Sequence, residues 1–342
     1  MRKKITVTEI AKLAGVSPAT VSLVLNSRAG VSQETRDRVL KIAREHSYKG
    51  VSSGDPSSRH KTLLFVSIVK HGHILNKNHK TFVADYIDGA QLEAGRKGYS
   101  LEVVSFDGFV PTEIIGYINS SHAKGAVILG TELDEKDLQH FLRLKIPAAF
   151  IDLFCTHMPY DFVDMNNDSS VYNLLTHLTA AGHKDIGIVT GSIDTANFSM
   201  RRSAFEKTMK ILGHRFRPEF VFTVDSTYEG AYQDMLDVLK TRPELPTALF
   251  CVNDIIAVGC IRALKESGIK VPDDISVAGF DNLPMTSMLE PPLTTVKVSK
   301  KKISMTAVML LIRRIKDGNS MPYEKIMIGG EVVKRNSVRQ ID

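Results

Sequence analysis

Thr6 to Tyr48 reads TVTEIAKLAGVSPATVSLVLNSRAGVSQETRDRVLKIAREHSY. Thr6 and Glu9 have the spacing of a capping box, Ile10, Ala11 and Ala14 supply one apolar face, and Gly15 stands where a C-terminal cap belongs. Ser17 can cap and Pro18 can open a second helix to about Asn26, with Val21, Val24 and Leu25 on its inner side. A third amphipathic helix starts near Ser32, and its Val39, Ile42 and Ala43 close a small three-helix core. Two short helices joined by Gly15-Val16-Ser17 make a helix-turn-helix. In that motif the second helix enters the DNA major groove and its early exposed residues meet base edges. Here those residues are Pro18, Ala19, Thr20, Ser22 and Leu23, with Thr6, Ser17, Asn26 and Ser32 at the helix ends as further candidate DNA contacts. A helical hairpin that merely packs is the alternative.

Charge bears on that choice. Residues 1–61 hold 12 Lys/Arg against 5 Asp/Glu, whereas the remaining 281 hold 32 against 33, so the chain's whole basic excess sits in the N-terminal piece. That is the footprint of a phosphate-binding headpiece, residues 1–48, on a nearly neutral body. Residues 49–61, KGVSSGDPSSRHK, are rich in Gly, Ser and Pro without apolar periodicity and read as a linker, in which Arg59 is a candidate phosphate contact.

A chain of 342 residues exceeds one ordinary domain. It contains no apolar run of membrane-spanning length, and MRKKITVTEI lacks the apolar stretch of a secretory signal, so a cytoplasmic location is expected. Cys155, Cys251 and Cys260 are odd in number and at no metal-binding spacing, so no metal or redox role and no cofactor is expected. No G-x-S-x-G, no phosphate-binding G-x-x-x-x-G-K-[ST] and no metal-spaced His/Cys set argues for an enzyme.

In residues 62–342, short apolar runs alternate with amphipathic ones. Strands are expected near 62–69, 100–106, 125–130 and 147–152, with helices near 81–97, 111–121 and 134–144 between them. A second set of strands follows near 185–191, 220–224, 247–252 and 275–281. Two such sets predict an α/β core of two doubly wound parallel sheets whose strand carboxyl ends face a shared cleft. Asp152, Asn253, Asp254 and Asp281 fall at those strand ends, where they could hold a small polar ligand or cap the next helices.

The runs VTEIAKLAGVSPATVSLVLN and VSQETRDRVLKIAREHSY closely resemble the headpiece of the LacI/GalR family of bacterial repressors. HLTAAGHKDIGIVTG (177–191), RRSAF (201–205), NDIIAVGCIRALKESGIKVPDDISVAGFDN (253–282), PPLTTV (291–296) and KRNSV (334–338) extend the resemblance through the body, with Ala204 where the family has glycine. The resemblance implies a transcriptional repressor with a periplasmic-binding-protein-like core that the chain crosses three times. This divides the core into an N-lobe of about 62–163 plus 293–321 and a C-lobe of about 164–292 plus 322–342. It implies a homodimer on a palindromic operator, switched by a small effector, a sugar, sugar acid or sugar phosphate, between the lobes. Induction and corepression remain open, as does a regulator driven by a phosphocarrier protein. By family position Asp152, Arg201, Asn253 and Asp281 hold the effector, and Phe82, Thr131 and Asp225 complete the candidate set.

Three departures stand out. The linker lacks the family's hinge-helix pattern, with Gly50, Val51, Gly54, Asp55 and Ser57 at those places, so flexible tethering is expected unless another register forms the helix. Asp225 replaces an aromatic stacking residue. The loop KHGHILNKNHKTF (70–82) is long and basic, which points to an anionic effector or, alternatively, to a metal at His71 and His73 or a solvated loop.

Overall fold

The computed structural model describes residues 5–25, 31–46, 61–77, 80–318 and 321–341. Asn26, Arg59 and linker residues 49–60, all assigned from sequence, lie outside the described residues. The chain divides into two units, Met1–His60 and Lys61–Asp342.

The first unit contains α1 (Val7–Ala14), α2 (Pro18–Leu25) and α3 (Gln33–Glu45). Its local signals act as their chemistry dictates. The Thr6 hydroxyl accepts the Glu9 N–H while the Glu9 carboxylate accepts the Thr6 N–H, and Gly15 takes φ 68°, where any side chain would be strained. Ser17 and Ser32 accept the N–H groups of Thr20 and Thr35. Ile10, Ala11, Ala14, Val21, Val24, Val39 and Ala43 form the core, with Leu25 and Ile42 packed at its margin.

The second unit holds two sheets. The first has the order β11-β5-β4-β3-β1-β2, from β1 (Lys61–Val69), β2 (Tyr99–Asp107), β3 (Gly125–Leu129), β4 (Ala148–Ile151), β5 (Asp161–Met165) and β11 (Lys325–Ile328), all parallel. The second has the order β12-β10-β9-β8-β6-β7, from β6 (Ile186–Gly191), β7 (Val221–Val224), β8 (Ala248–Cys251), β9 (Ser276–Asp281), β10 (Thr294–Lys297) and β12 (Glu331–Val333). Only β12 runs antiparallel to its neighbour among the described strands, at the sheet edge. The two expected doubly wound sheets are therefore present.

Crossover helices cover the faces: α4 (Lys80–Arg96), α5 (Pro111–Ser120) and α6 (Glu135–Phe141) in the first lobe, and α7 (Asn167–Ala180), α8 (Ala196–Ile211), α9 (Tyr228–Lys240) and α10 (Asp254–Glu266) in the second. Helix α11 (Lys300–Asp317) returns to pack on α4, and the approach is close at Gly89, where a Cβ would collide with the Lys301 backbone.

Two lobe limits differ from the sequence expectation. Residues 293–298 stay in the second lobe because Thr294–Lys297 pair with the open edge of β9, so the crossing falls just before α11. Residues 322–328 stay in the first lobe because β11 pairs with the open edge of β5, and the last crossing falls at Gly329-Gly330. Among the described residues, no helix is long and apolar enough to cross a membrane.

Candidate functional site

On the headpiece, Thr6, Ser17, Pro18 and Ser22 are exposed and Thr20 and Leu23 are half-buried, while Val21 and Val24 fill the core. Helix α2 thus shows one polar-to-apolar rim beside a wholly apolar inner face. The Thr6, Ser17 and Ser32 hydroxyls serve as helix caps, which fixes the ends of all three helices.

In the larger unit, six of the seven residues expected to bind an effector meet. Phe82, Thr131 and Asp152 from the first lobe and Arg201, Asn253 and Asp281 from the second line one cavity of about 20 Å³, together with Ile74, Thr195, Asn197 and Phe198. That is room for one or two water molecules, so the lobes are closed on each other.

Asp152, just past β4, is the hub on one side. Its carboxylate accepts hydrogen bonds from the Thr131 hydroxyl, from the Tyr86 hydroxyl at 3.3 Å and, across the cleft, from the Asn197 amide at 3.0 Å. Arg201 is the hub on the other. Its Nε donates to Asn167 at 3.0 Å and its Nη1 to the Val252 carbonyl at 2.6 Å; Nη2 lies 2.9 Å from the Met165 sulfur and 3.6 Å from Asp281. The guanidinium also stacks 3.8 Å from the Phe280 ring centre, a planar contact that a lysine could not copy. Asn253 caps α10 by accepting the Ile256 N–H and lines the cavity as well, so the capping reading and the cleft reading both hold. Asp254 does not cap; buried, it accepts from the Thr295 hydroxyl and the Leu283 N–H.

The cleft is acidic. Burial, reinforced by the neighbouring Asp164 charge, pushes the Asp152 carboxyl up to about 8, and burial lifts Asp164 to about 7 and Asp254 to about 8. Asp281 is also raised by burial, with Arg201 and Lys300 opposing. Asp152 and Asp281 sit at φ 57° and 111°, a conformation that costs about 1–3 kcal/mol per non-glycine residue and is tolerated where a site requires it.

Two expectations need correction. Asp225 does not line the cavity: its carboxylate accepts the Thr227 N–H and hydroxyl, and it lies 3.3 Å from His73, joining the lobes at the rim. Three of the loop's basic residues, Lys70, His71 and His73, are engaged by carboxylates rather than free to meet a ligand, and His79 lies outside the described residues. Lys70 is bound by Asp134 and Asp137, the His71 ring lies 3.4 Å from Glu132 and accepts the His73 N–H, and the His73 ring faces Asp225 at the rim. Buried Glu132 organises the loop, its two oxygens accepting the N–H groups of His71, Gly72, Ile74 and Leu75 at 2.7–3.0 Å. Burial alone would raise this carboxyl, but the four N–H groups hold it below its ordinary value.

Asn197, Asn167, Asp164 and Tyr86 were not identified from sequence. Asn197 precedes Arg201 by one helical turn, which puts both on the same face of α8, a signal that could have found it.

Residues 6–50 match the family model described as bacterial regulatory proteins, lacI family, and residues 175–338 that of a periplasmic binding protein-like domain. The HTH-type transcriptional repressor PurR of Histophilus somni (strain 129Pt) is 31% identical over 340 residues, covering 98% of this chain and 99% of its own. PurR of Haemophilus influenzae (strain PittEE) is 31% identical over 342 residues with the same coverage. Among solved structures, the lac repressor dimer bound to operator and the anti-inducer ONPF has a TM-score of 0.73 at 23% identity, covering 98% of this chain and 100% of that one. The transcriptional regulator CelR–cellobiose complex has a TM-score of 0.72 at 24% identity, covering 97% and 99%. The last two are likenesses of fold. With the headpiece, the two-lobed core and a relative matched end to end, the chain belongs to the lacI family of bacterial regulatory proteins, DNA-binding transcriptional repressors with a ligand-binding core and not enzymes.

Proposed function

We propose that this repressor binds a palindromic operator as a homodimer in the cytoplasm and is switched by a small, neutral, polyhydroxylated effector between its lobes. The observation that carries this reading is the convergence of Asp152 and Thr131 from one lobe with Arg201, Asn253 and Asp281 from the other on a single cavity. Carboxylates that accept and amide or guanidinium groups that donate suit hydroxyls, which do both. An anionic effector is the less favoured class, because Lys70 is already paired with Asp134 and Asp137 and Arg201, the one cation among the described residues lining the cavity, already donates to Asn167 and the Val252 carbonyl. One of the similar structures is a complex with cellobiose, which is compatible with a polyhydroxylated ligand.

Switching then follows from geometry. A ligand that bridges Asp152 and Arg201 favours one lobe angle, and in a dimer that angle sets the spacing of two headpieces against half-sites about one DNA turn apart. Pro18, Ala19, Thr20, Ser22 and Leu23 read base edges, while Thr6, Ser17, Asn26, Ser32 and Arg59 contact backbone.

Selection of binding sites by the full-length protein from random DNA tests this. Binding is then measured across a salt series with neutral sugars, sugar acids, sugar phosphates and purines. A palindromic site whose affinity responds to a neutral sugar is the expected result. A response confined to sugar phosphates or acids would overturn the effector class, and salt-sensitive binding without sequence preference would overturn operator specificity.

A further inference from the structure

A cluster outside the cleft is unused by this function. Cys155 and His157 lie in the connection from β4 to β5, and Glu135 opens α6; no sequence spacing links the three, but the fold joins them. The Cys155 thiol, almost fully buried, donates to Glu135 Oε1 at 3.3 Å. His157 Nε2 is 3.0 Å from the same oxygen, and both imidazole nitrogens are 3.8 Å from the sulfur. Tetrahedral zinc with ordinary bond lengths to sulfur, nitrogen and oxygen requires donor separations of about 3.3–3.6 Å. The observed distances bracket that range, and His157 is exposed enough for its ring to turn.

We propose that Glu135, Cys155 and His157 form a site for a borderline-soft divalent ion of the zinc class, with a fourth position open to water. A thiolate with an imidazole selects such ions over magnesium or calcium, whose preferred ligands are all oxygen. The ammonium of Lys325, held on the carbonyls of Met158 and Tyr160, closes the connection that carries Cys155 and His157. Binding releases the thiol proton to solvent. The exposed sides of Glu135 and His157 give the ion access, while the sulfur is shielded. An ion here ties the segment that follows Thr131 to the segment that follows Asp152, the two residues whose side chains meet in the cleft.

Full-length protein stripped with a chelator is titrated with Zn²⁺ by calorimetry and with Co²⁺ by absorption. One equivalent of Zn²⁺, a rise in Tm, and a thiolate-to-cobalt charge-transfer band with strong tetrahedral d–d bands are expected. Cys155→Ser removes the charge-transfer band, His157→Ala weakens binding of both ions, and Glu135→Gln weakens binding while keeping the band. Cys251 and Cys260 are wholly buried and remain in every variant, so loss of the band identifies its thiol. Because His157 is exposed, its variant keeps the test valid even where Cys155→Ser fails to fold. Absence of saturable Zn²⁺ binding, or binding unchanged in His157→Ala and Cys155→Ser, overturns the site.

Discussion

Replacing Glu132 by Gln unlocks the loop that lines one wall of the cleft. The carboxylate spends Oε2 on the His71 and Gly72 N–H groups, both at 3.0 Å, and Oε1 on those of Ile74 and Leu75 at 2.8 and 2.7 Å. Glutamine keeps one oxygen for two of these donors and turns an amide N–H₂ against the other two. Each charge-assisted bond lost costs about 1.5–3 kcal/mol. Two losses imply about 3–6 kcal/mol for a rigid loop, and local opening limits the visible cost to about 3 kcal/mol. Hydrogen exchange of a peptide covering residues 70–77 measures it: protection should fall by roughly a hundredfold. Effector affinity should fall with it, since Ile74 forms part of the cavity wall. A change in protection under about threefold would refute the reasoning, because the four amides would then be satisfied without the carboxylate.

The buried carboxyls make a pH prediction of definite sign. Asp152, Asp164 and Asp254 titrate above their unfolded values, so their contribution is fully present below pH about 4 and is lost as pH rises toward about 7–8. Each contributes a slope of at most about 1.4 kcal/mol per pH unit in that window. His71, His177 and His183, lowered by burial, oppose that slope only below their ordinary value of about 6.5, where the unfolded chain binds the extra protons. Comparing Tm against pH for Asp152→Asn and the unmodified chain isolates one carboxyl; parallel curves would remove Asp152 from the account. On the headpiece, Leu23 is half-buried on α2, the helix proposed to read base edges, and its side chain suits a thymine methyl more than guanine acceptors. Leu23→Arg should shift the selected half-site toward guanine at one position, by about 1–3 kcal/mol of discrimination, and an unchanged selection would sink that assignment.

The headpiece was legible because its information is local: Thr6 with Glu9, Gly15, and Ser17-Pro18 fix helix ends within a few residues of themselves. Strand-end polar residues were legible for a similar reason, as Asp152, Asn253 and Asp281 each close an apolar run. What was not legible depends on distant partners. Nothing near Glu132 in sequence announces that it gathers the amides of residues 71–75. Short strands β10 and β11 went to the wrong lobes because their pairing is decided by which sheet edge is vacant, at β9 and β5. Family position alone puts Asp225 in the cleft, whereas its own turn and His73 claim its carboxylate. The charge of loop 70–82 was read without its neighbours Asp134 and Asp137, which come from a later helix terminus.

The left-handed backbone at Asp152 and Asp281 restricts how this repressor can be retuned. Gly alone is unstrained at φ 57° and 111°, with Asn and Asp the least penalised side chains near φ 57°, so a randomised library at these two codons collapses to a very small alphabet before ligand chemistry is tested. Phe198 stands on the regular helix α8 and touches the same cavity with no such backbone restriction. Diversification toward a new effector therefore belongs on α8 at Phe198, with the two aspartates left as fixed anchors around which specificity is rewritten.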